Sequence, residues 1–428
     1  MGKQVVVVDG VRTPFVRSGS RLKGVPTWEL GRAVTRELLD RCALDPTSVD
    51  EVIFGCVAQP SDSANIARVI ALRAGVPKEV PALTVSRNCA SGMEAVTLGA
   101  ERIAAGRAEV VLAGGVESMS RIPLHYPLSY GFKIAGLMRA RNIGEKLAAG
   151  LAFRPRDWKP VIALIEGLTD PTCGEIMGLT AERLAREFHI SREEQDGWAL
   201  ESHRRATASR EYLGGEIAPF GVPPRFFERI GEDDGPRENQ SLEALSRLRP
   251  YFDRRMGSVT VGNSCPVTDG GVALLLMEED RARSLGLAPL GRIAGHAFRG
   301  CDPRRMGLGP AYATPPALAE AGISLKEVQR IELNEAFAAQ VLACLCAFES
   351  DEFGRHLGLP GAIGEIDRER LNPHGGAIAL GHPVGATGAR LVLTLLRGLQ
   401  EQGGGFGLAT LCIGGGQGGA VVVEGMAS

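Results

Sequence analysis

The sequence predicts an α/β protein built from two similar halves, each with a mainly parallel sheet covered by helices. Strands alternate with helices along the first 120 residues, and the same alternation returns in the last third of the chain. One order of features also occurs twice, namely a turn residue, a helix, a strand and a glycine cluster. It runs from Cys89 to Gly115 and again from His382 to Gly416. This repetition predicts a duplicated unit.

Each predicted element depends on the spacing of its apolar residues. Short apolar runs bounded by turn residues predict strands, and apolar residues three or four positions apart predict helices. In the first half, strands are predicted at 4–8, 51–54, 82–86 and 109–113, and helices at 27–42, 65–74 and 91–106. In the last third, strands are predicted at 330–333, 406–411 and 419–424, and helices at 336–348 and 386–402.

A different region, rich in proline and charge, separates the two halves at roughly 121–250. It contains one helix pair, at 181–188 and 192–209, the second with an N-terminal capping box formed by Ser191 and Glu194. Large insertions on a rigid scaffold often contact substrate. We therefore predict three domains: a first half at 1–120 and 251–283, a loop domain for substrate and assembly contacts at 121–250, and a second half at 284–428.

The composition excludes several classes of protein. A formal charge of −2 gives no reason to expect a nucleic-acid partner. The chain has no apolar run of about 18 residues, the length that crosses a membrane. Its N-terminus lacks the features of an export signal, so the nine cysteines are expected to be free thiols in a reducing compartment, by default the cytoplasm.

Cys89 lies at a predicted strand-to-helix turn, with the small residues Ala90 and Gly92 beside it. The positive end of the helix dipole would favour a thiolate there and lower the pKa of the thiol. The same residue could instead be a buried structural cysteine, because free cysteines are among the most frequently buried residues.

His382 stands in a glycine-rich turn, Gly381 to Gly388, before another predicted helix. Such a turn leaves room for the imidazole to face a cavity. A phosphate-binding turn is a weaker alternative because no Walker lysine is present. A solvated loop histidine is the remaining interpretation.

Cys412 and Asn334 follow two predicted strands. Cys412 precedes Gly414 and its neighbouring glycines, whose backbone N–H groups could form an oxyanion site, although a core cysteine is the alternative. Asn334 could simply cap the following helix. Loops at the carboxyl ends of strands converge on one crevice in open α/β sheets. Two thiols and an imidazole without metal-ligand spacing suit a covalent acyl intermediate followed by a second proton transfer.

At these segments the chain resembles the thiolase family, in the same order and across nearly its whole length. The matching motifs are Arg12–Phe15, the Cys89 segment, Gly114–Met119, Asn334–Phe337, Gly375–Gly388 and Cys412–Gly418. The resemblance implies a duplicated five-layer α/β/α/β/α core with an inserted loop domain. It also implies assembly as homodimers or homotetramers.

The resemblance further implies a role for each site residue. Cys89 would be the acylated nucleophile and His382 its base, while Cys412 would exchange a proton with the α-carbon of the second thioester. One oxyanion site would pair His382 with a water held by Asn334, and the other would use the backbone N–H groups of Cys89 and Gly414. The pantetheine tunnel of coenzyme A (CoA) would be lined by Met177, Cys265 and Phe337. CoA thioesters are expected as substrates, with no separate cofactor and no metal.

The activity so implied is that of an acyltransferase, a 3-ketoacyl-CoA thiolase or acetyl-CoA acyltransferase of fatty-acid β-oxidation. A short-chain acetyl-CoA acetyltransferase that makes acetoacetyl-CoA is an alternative, and so is a silent module that binds acyl-CoA. Decarboxylating and HMG-type condensing relatives lack a second catalytic cysteine, so Cys412 argues against them.

The stretch 121–176 is extended and resembles that of thiolase subunits in trifunctional fatty-acid-oxidation complexes, although those usually carry His where Asn334 stands. The segment 121–160 contains eight Lys or Arg residues but only two acidic residues, with apolar residues between them. This pattern is typical of a segment that lies on an anionic membrane surface or docks on a hydratase/dehydrogenase subunit. Contact with CoA phosphates and a solvated loop are the alternatives.

Overall fold

The first part of the chain forms strands that alternate with helices after an initial pair of strands. The structure, a computed structural model, describes residues 3–427. The strands are β1 (Val5–Arg12), β2 (Val16–Arg17), β3 (Glu51–Gly55), β4 (Ala82–Val85) and β5 (Val110–Ser118). The helices are α1 (Thr27–Arg41), α2 (Ile66–Ala74) and α3 (Ser91–Ala104). All seven predicted elements are present, and β5 continues through the two glycines that were expected to end it.

The insertion is more helical than predicted. Its helices are α4 (Leu128–Arg139), α5 (Ile143–Leu151), α6 (Ala163–Gly167), α7 (Met177–Glu187), α8 (Arg192–Ala208), α9 (Arg210–Glu216) and α10 (Leu242–Ser246). Two short hairpins accompany them, β6 (Leu124–His125) with β7 (Val161–Ile162), and β8 (Phe220–Gly221) with β9 (Arg229–Ile230). The predicted capping box of Ser191 and Glu194 is present at the start of α8.

The remainder of the chain completes the core. Its strands are β10 (Thr268–Glu278), β11 (Gly291–Gly300), β12 (Val328–Leu333), β13 (Gly405–Ile413) and β14 (Gln417–Gly425). Its helices are α11 (Glu279–Ser284), α12 (Gly309–Ala321), α13 (Ala338–Glu349), α14 (Asp351–His356), α15 (Ala377–Leu380) and α16 (Val384–Glu401). The sequence interpretation had not included β10, β11 or α12.

The core strands form one hydrogen-bonded path in the order β12-β13-β14-β11-β1-β10-β5-β3-β4, and β2 pairs with β10 beside it. Only β3–β4, β3–β5 and β12–β13 pair in parallel, so the prediction of mainly parallel sheets is wrong. Strands β13 and β14 are joined by a tight glycine turn, and such a connection permits only antiparallel pairing. The two half-sheets meet through a short pairing of β1 with β11.

Three separate apolar clusters show that the core has five layers. One packs α1 and α2 on the outer face of the first half-sheet. A second fills the centre, where α3 and α16 lie between the half-sheets, and a third packs α12 and α13 on the outer face of the second half-sheet. The predicted five-layer α/β/α/β/α core is therefore confirmed. The domain boundaries stay a prediction.

Glycines bring the first turns of α3 and α16 into backbone contact. A Cβ built on Gly92 would lie 2.8 Å from the carbonyl oxygen of Gly385, and one on Gly388 would lie 2.5 Å from the amide nitrogen of Met93. No larger residue fits at either place without a shift. Cys89 and His382, each two residues before one of these helices, are thereby brought to the same end of the central layer.

Candidate active site

Cys89 is presented by a tight turn between β4 and α3. Asn88 has φ of +45°, a left-handed conformation that asparagine tolerates better than most residues. Its carbonyl oxygen accepts a hydrogen bond from the Ser91 hydroxyl at 2.7 Å, which fixes the turn. Its side-chain amide donates to the carbonyl oxygen of Gly414 at 2.7 Å. The turn that holds Cys89 is therefore tethered directly to the glycine turn after β13.

The pKa of the Cys89 thiol is raised above its ordinary value, so the predicted lowering is wrong. Burial is the main cause, and it outweighs the backbone N–H groups of Gly414 and Cys89, which favour the thiolate. The negative charge of Glu117 raises the pKa further. Cys89 is therefore a protonated thiol at neutral pH, and it needs a base before it can attack.

His382 has the tautomer that such a base requires. Its Nδ1 lies 2.7 Å from the hydroxyl oxygen of Thr387, and that hydroxyl donates its only proton to the carbonyl oxygen of Pro383 at 3.0 Å. Thr387 must therefore accept from Nδ1–H, which leaves the lone pair on Nε2. Among residues 3–427, Nε2 has no hydrogen-bond partner. Burial lowers the pKa of His382 to about 3, with Arg390 contributing, so the imidazole is neutral.

The backbone around His382 is held by Thr268, at the start of β10. The His382 amide donates to the Thr268 hydroxyl at 3.2 Å, and Val267 forms a parallel bridge with His382. Gly381 has φ of +102°, and a Cβ there would lie 2.4 Å from the same hydroxyl. Only glycine allows this close approach without strain.

Cys412 lies on β13, directly before the glycine turn. It is buried, and burial raises the pKa of its thiol well above the ordinary value, with Cys89 close enough to raise it further. Gly415 and Gly416 have φ of +92° and +80°, so the turn needs glycine at both positions. Cys412 is thus placed as a second, protonated thiol beside the first.

Asn334 follows β12 and does not cap a helix. Helix α13 begins at Ala338, and its N-cap residue is Phe337, so the capping interpretation is wrong. The backbone N–H of Asn334 donates to the carbonyl oxygen of Thr410 at 3.0 Å. Thr410 lies two residues before Cys412. Both polar atoms of its buried side chain lack a partner within residues 3–427. A buried amide in this condition is suited to binding a water or a ligand atom.

The three residues predicted to contact CoA lie around this site. The sulfur of Met177 is 3.4 Å from a Cβ built on Gly414. The amide of Cys265 donates to the carbonyl oxygen of Ala336 at 3.0 Å. Burial raises the pKa of the Cys265 thiol to about 12, and Cys89 adds to the shift.

Phe337 is the third of these residues, and it forms part of an aromatic wall. It packs edge-on against Phe252, with ring centroids 5.9 Å apart. A Cβ on Gly178, at the start of α7, would lie 2.2 Å from Phe252. The wall therefore joins the insertion to the core.

Glu117 is a buried group that the sequence interpretation assigned no role. Its carboxylate accepts hydrogen bonds from the amides of Val57 at 2.9 Å, Ala58 at 3.1 Å and Gly385 at 3.1 Å. Burial raises its pKa to about 7 in spite of these donors. Glu117 is an acidic residue that follows the apolar and glycine-rich start of β5, and this unusual position could have indicated a buried carboxylate from the sequence.

The assembled site contains two protonated thiols, a neutral imidazole with a free Nε2, an unpartnered amide and backbone N–H groups. Within residues 3–427, no group of three His, Cys, Asp or Glu side chains is arranged to hold a metal ion, and no helix is both long and apolar enough to cross a membrane. This set of groups can form an acyl-thioester and move a proton at a neighbouring carbon.

Comparison with known proteins gives matches along almost the whole chain. The family model of the N-terminal domain of thiolase matches residues 5–280, and that of the C-terminal domain matches residues 287–425. A 3-ketoacyl-CoA thiolase of Pectobacterium carotovorum is 45% identical over 99% of this chain and 97% of its own length. One from Yersinia pestis is 42% identical with the same coverage.

Solved structures give the same result for the fold. The acetyl-CoA acetyltransferase of Bacillus anthracis superposes with a TM-score of 0.85 at 37% identity, with 99% of each chain covered. The human mitochondrial 3-ketoacyl-CoA thiolase in complex with CoA gives 0.84 at 36% identity, covering 99% of this chain and 98% of that one. The chain therefore belongs to the thiolase family of acyltransferases.

Proposed function

We propose that the protein is a 3-ketoacyl-CoA thiolase that acts in fatty-acid β-oxidation through an acyl-Cys89 intermediate. The observation that carries this proposal is the hydrogen bonding of His382, whose Nδ1 lies 2.7 Å from the Thr387 hydroxyl oxygen while its buried Nε2 has no partner within residues 3–427. The thiol and imidazole supply the chemistry themselves, so CoA thioesters are substrates and no further cofactor is proposed.

In the first half-reaction, His382 Nε2 takes the proton of Cys89 while the sulfur attacks the 3-keto carbon. The bond between C2 and C3 breaks, and its electron pair forms the enolate of acetyl-CoA. Cys412 gives its proton to the enolate carbon, and acetyl-CoA leaves. The chain is left with an acyl-thioester on Cys89 and a thiolate on Cys412.

In the second half-reaction, the Cys412 thiolate takes the proton of an incoming CoA thiol. The CoA sulfur attacks the acyl carbon, and the Cys89 sulfur leaves and recovers its proton from His382. Backbone N–H groups of Cys89 and Gly414 stabilise the oxyanion on the acyl group. His382, with a water held by Asn334, stabilises the enolate oxygen.

The test combines trapping with kinetics. Incubation with acetyl-CoA should add an acetyl group to the peptide that contains Cys89, and Cys89→Ser should abolish transfer because an alcohol lacks the nucleophilicity of the thiol. Double-reciprocal plots should be parallel, because the first product leaves before the second substrate enters. Intersecting plots without acyl exchange, or an adduct on Cys412, would contradict the proposed roles.

A short-chain acetyl-CoA acetyltransferase is the second candidate, since the Bacillus anthracis structure of that name superposes as well as the human thiolase. The two candidates differ in the chain length of their substrate. Thiolysis should be measured over a series of 3-ketoacyl-CoA substrates. Activity confined to acetoacetyl-CoA would favour the second candidate over the first.

We also propose a homodimer or homotetramer in the cytoplasm. Strand β4 is the edge strand of its half-sheet, and its Leu83 is 37% exposed. Leu72, on the neighbouring helix α2, is 46% exposed. An unpaired edge beside apolar side chains is a surface that a second copy can cover. Light scattering should give a mass of two or four chains, and a monomer would contradict this proposal.

The surface of α4 and α5 is proposed to dock on an anionic lipid surface or on a hydratase/dehydrogenase subunit. No residue of either helix is buried. Phe132, Met138 and Leu151 are 75%, 82% and 86% exposed, and exposed basic residues lie between them. This mixture of apolar and basic side chains is typical of a surface-docking segment.

Neutralising Arg139, Arg141 and Lys146 together tests the docking surface. At about 1 kcal/mol per basic residue, binding should weaken by about 100-fold and depend strongly on salt. Vesicles of anionic lipid and a purified partner subunit distinguish the two docking targets. The control replaces the exposed residues Lys78, Arg283 and Lys326 and should bind normally. Absence of salt-sensitive binding to either target would contradict the proposal.

A further inference from the structure

Glu335 is a buried carboxylate whose two oxygens accept four hydrogen bonds. Its Oε1 accepts from the indole N–H of Trp198 at 3.1 Å and from the side-chain amide of Asn372 at 3.0 Å. Its Oε2 accepts from the hydroxyl of Ser202 at 2.6 Å and from the backbone amide of Ile378 at 3.2 Å. The residue is 1% exposed. Four donors facing one group match an ionised carboxylate, which only accepts.

These donors come from three separate parts of the fold. Trp198 and Ser202 lie on α8 of the insertion, and Ile378 lies on α15, just before the His382 turn. Asn372 also clamps Leu333, since its side-chain oxygen accepts from the Leu333 amide at 2.9 Å and its nitrogen donates to the Leu333 carbonyl oxygen at 2.8 Å. Glu335 therefore joins the insertion, the His382 loop and the end of β12.

Asn334 lies between the two clamped residues, Leu333 and Glu335. Its own side chain makes no hydrogen bond to any residue in 3–427. Its position consequently depends on its backbone, which is held by the bond to Thr410 and by its two neighbours. The Glu335 side chain packs closely against the backbone of Gly376, where an added Cβ would lie 2.2 Å from the carboxyl carbon of Glu335.

The position of His382 depends much less on the hydrogen bonds of Glu335. Its ring is fixed by Thr387, and its backbone is fixed by Thr268. Loss of the carboxylate should therefore displace the Asn334 amide while leaving the thiol and its base in place.

We propose that Glu335 is a positioning residue for Asn334, and that the carboxylate holds the amide where it stabilises the enolate of the second thioester. This inference rests on the proposed function. It predicts that acylation of Cys89 by acetyl-CoA and proton exchange at the α-carbon of acetyl-CoA respond differently, because only the exchange needs the Asn334 site. Acylation of Cys89 uses the separate N–H groups of the Cys89 and Gly414 backbone.

The test measures acylation and proton exchange in four proteins: wild type, Glu335→Gln, Asn334→Ala and the double variant. Acylation is followed as the acetyl adduct on Cys89, and proton exchange as deuterium entering the methyl group of acetyl-CoA. Glu335→Gln places an NH2 group opposite partners that are themselves donors. The rate of exchange should therefore fall by about 10- to 100-fold, while the rate of acylation stays within about threefold of wild type. The double variant should exchange no more slowly than Asn334→Ala alone.

Additive losses in the double variant, or an equal loss of acylation and exchange in Glu335→Gln, would overturn the inference. Glu216→Gln is the matched control, because Glu216 is also a buried carboxylate, and its hydrogen-bond partner is Arg12 instead of the groups that hold Glu335. It should lower the melting temperature without changing the ratio of exchange to acylation. A wild type with neither activity would instead contradict the proposed function itself.

A second variant keeps the inference testable if Glu335→Gln does not fold. Trp198→Phe removes one of the four donors and leaves the carboxylate in place. Exchange should then fall by about 3- to 10-fold with acylation unchanged. Exchange at the wild-type rate in Trp198→Phe would overturn the inference.

Discussion

Replacing Thr387 with valine should slow acylation of Cys89 by removing the group that sets the tautomer of His382. Valine has nearly the shape of threonine, so the packing of α16 is kept while the hydroxyl is lost. The Nδ1–H of His382 then has no acceptor in a buried site. The ring can move its proton to Nε2, and in that form it cannot take the proton of Cys89.

The size of the effect follows from the lost hydrogen bond. Leaving a buried donor without a partner costs about 1–3 kcal/mol, which corresponds to a rate lower by about 5- to 150-fold. The backbone bond from Thr387 to Pro383 is unaffected, so the first turn of the helix should remain intact. Thr387→Ser keeps the hydroxyl and should recover most of the rate.

The assay is the rate of acetyl transfer from acetyl-CoA to Cys89, measured by rapid quenching and mass spectrometry. Thr394→Val is a matched control on the same helix, because Thr394 is 1% exposed and its hydroxyl has no partner within residues 3–427. It should acylate at the normal rate. A Thr387→Val enzyme within about twofold of wild type, or an equal loss in Thr394→Val, would refute the reasoning.

Three further predictions concern the thiols and a glycine. Cys412→Ala should still form acetyl-Cys89 but should stop exchange of the acetyl methyl protons, and equal loss of both would make Cys412 structural. Burial raises the pKa of Cys89, so its reactive thiolate should be scarce near neutral pH. The rate of inactivation by iodoacetamide should therefore rise about tenfold per pH unit from about pH 7 to 9, and a rate that levels off below about pH 8 would contradict this. Gly381→Ala should lose activity because the new Cβ would clash with Thr268. The control is Gly403→Ala, since Gly403 has φ of +90° but open space around it; this variant should lose only about 1–2 kcal/mol of stability, seen as a lower melting temperature.

Local patterns predicted most of the core but not the pairing of its strands. The repeated order of turn, helix, strand and glycines correctly indicated a duplication, because each feature is local. Strands β10 and β11 were missed because their glycines, at Gly270, Gly271 and Gly295, weaken a strand pattern. Gly270 and Gly295 are required by close packing, since a Cβ would lie 2.4 Å from the Phe15 ring at Gly270 and 2.7 Å from the Ala317 carbonyl oxygen of α12 at Gly295.

The chemistry of the site was less predictable than its residues. The helix-dipole argument gave a lowered pKa for Cys89, and it failed because burial by residues distant in sequence is the larger effect. The tautomer of His382 could not be inferred either, since it depends on the direction of one hydroxyl, that of Thr387. Glu335 was visible only as the neighbour of Asn334, because its four donors come from segments that tertiary structure alone brings together.

The duplication explains why the two halves contribute different groups to one site. Cys89 lies two residues before α3, and His382 lies two residues before α16. The last residue of β3 pairs with Gly115, two residues before Glu117, and the last residue of β12 pairs with Thr410, two residues before Cys412.

Residue by residue, Cys89 therefore corresponds to His382, and Cys412 corresponds to the buried carboxylate of Glu117. By the same register, Asn334 corresponds to Cys56, whose sulfur lies 3.8 Å from Glu117. Because α3 and α16 cross at glycines, equivalent positions of the two halves face one another. Under the proposed function the two halves have specialised, so that one supplies the nucleophile while the other supplies the base, the second thiol and the amide.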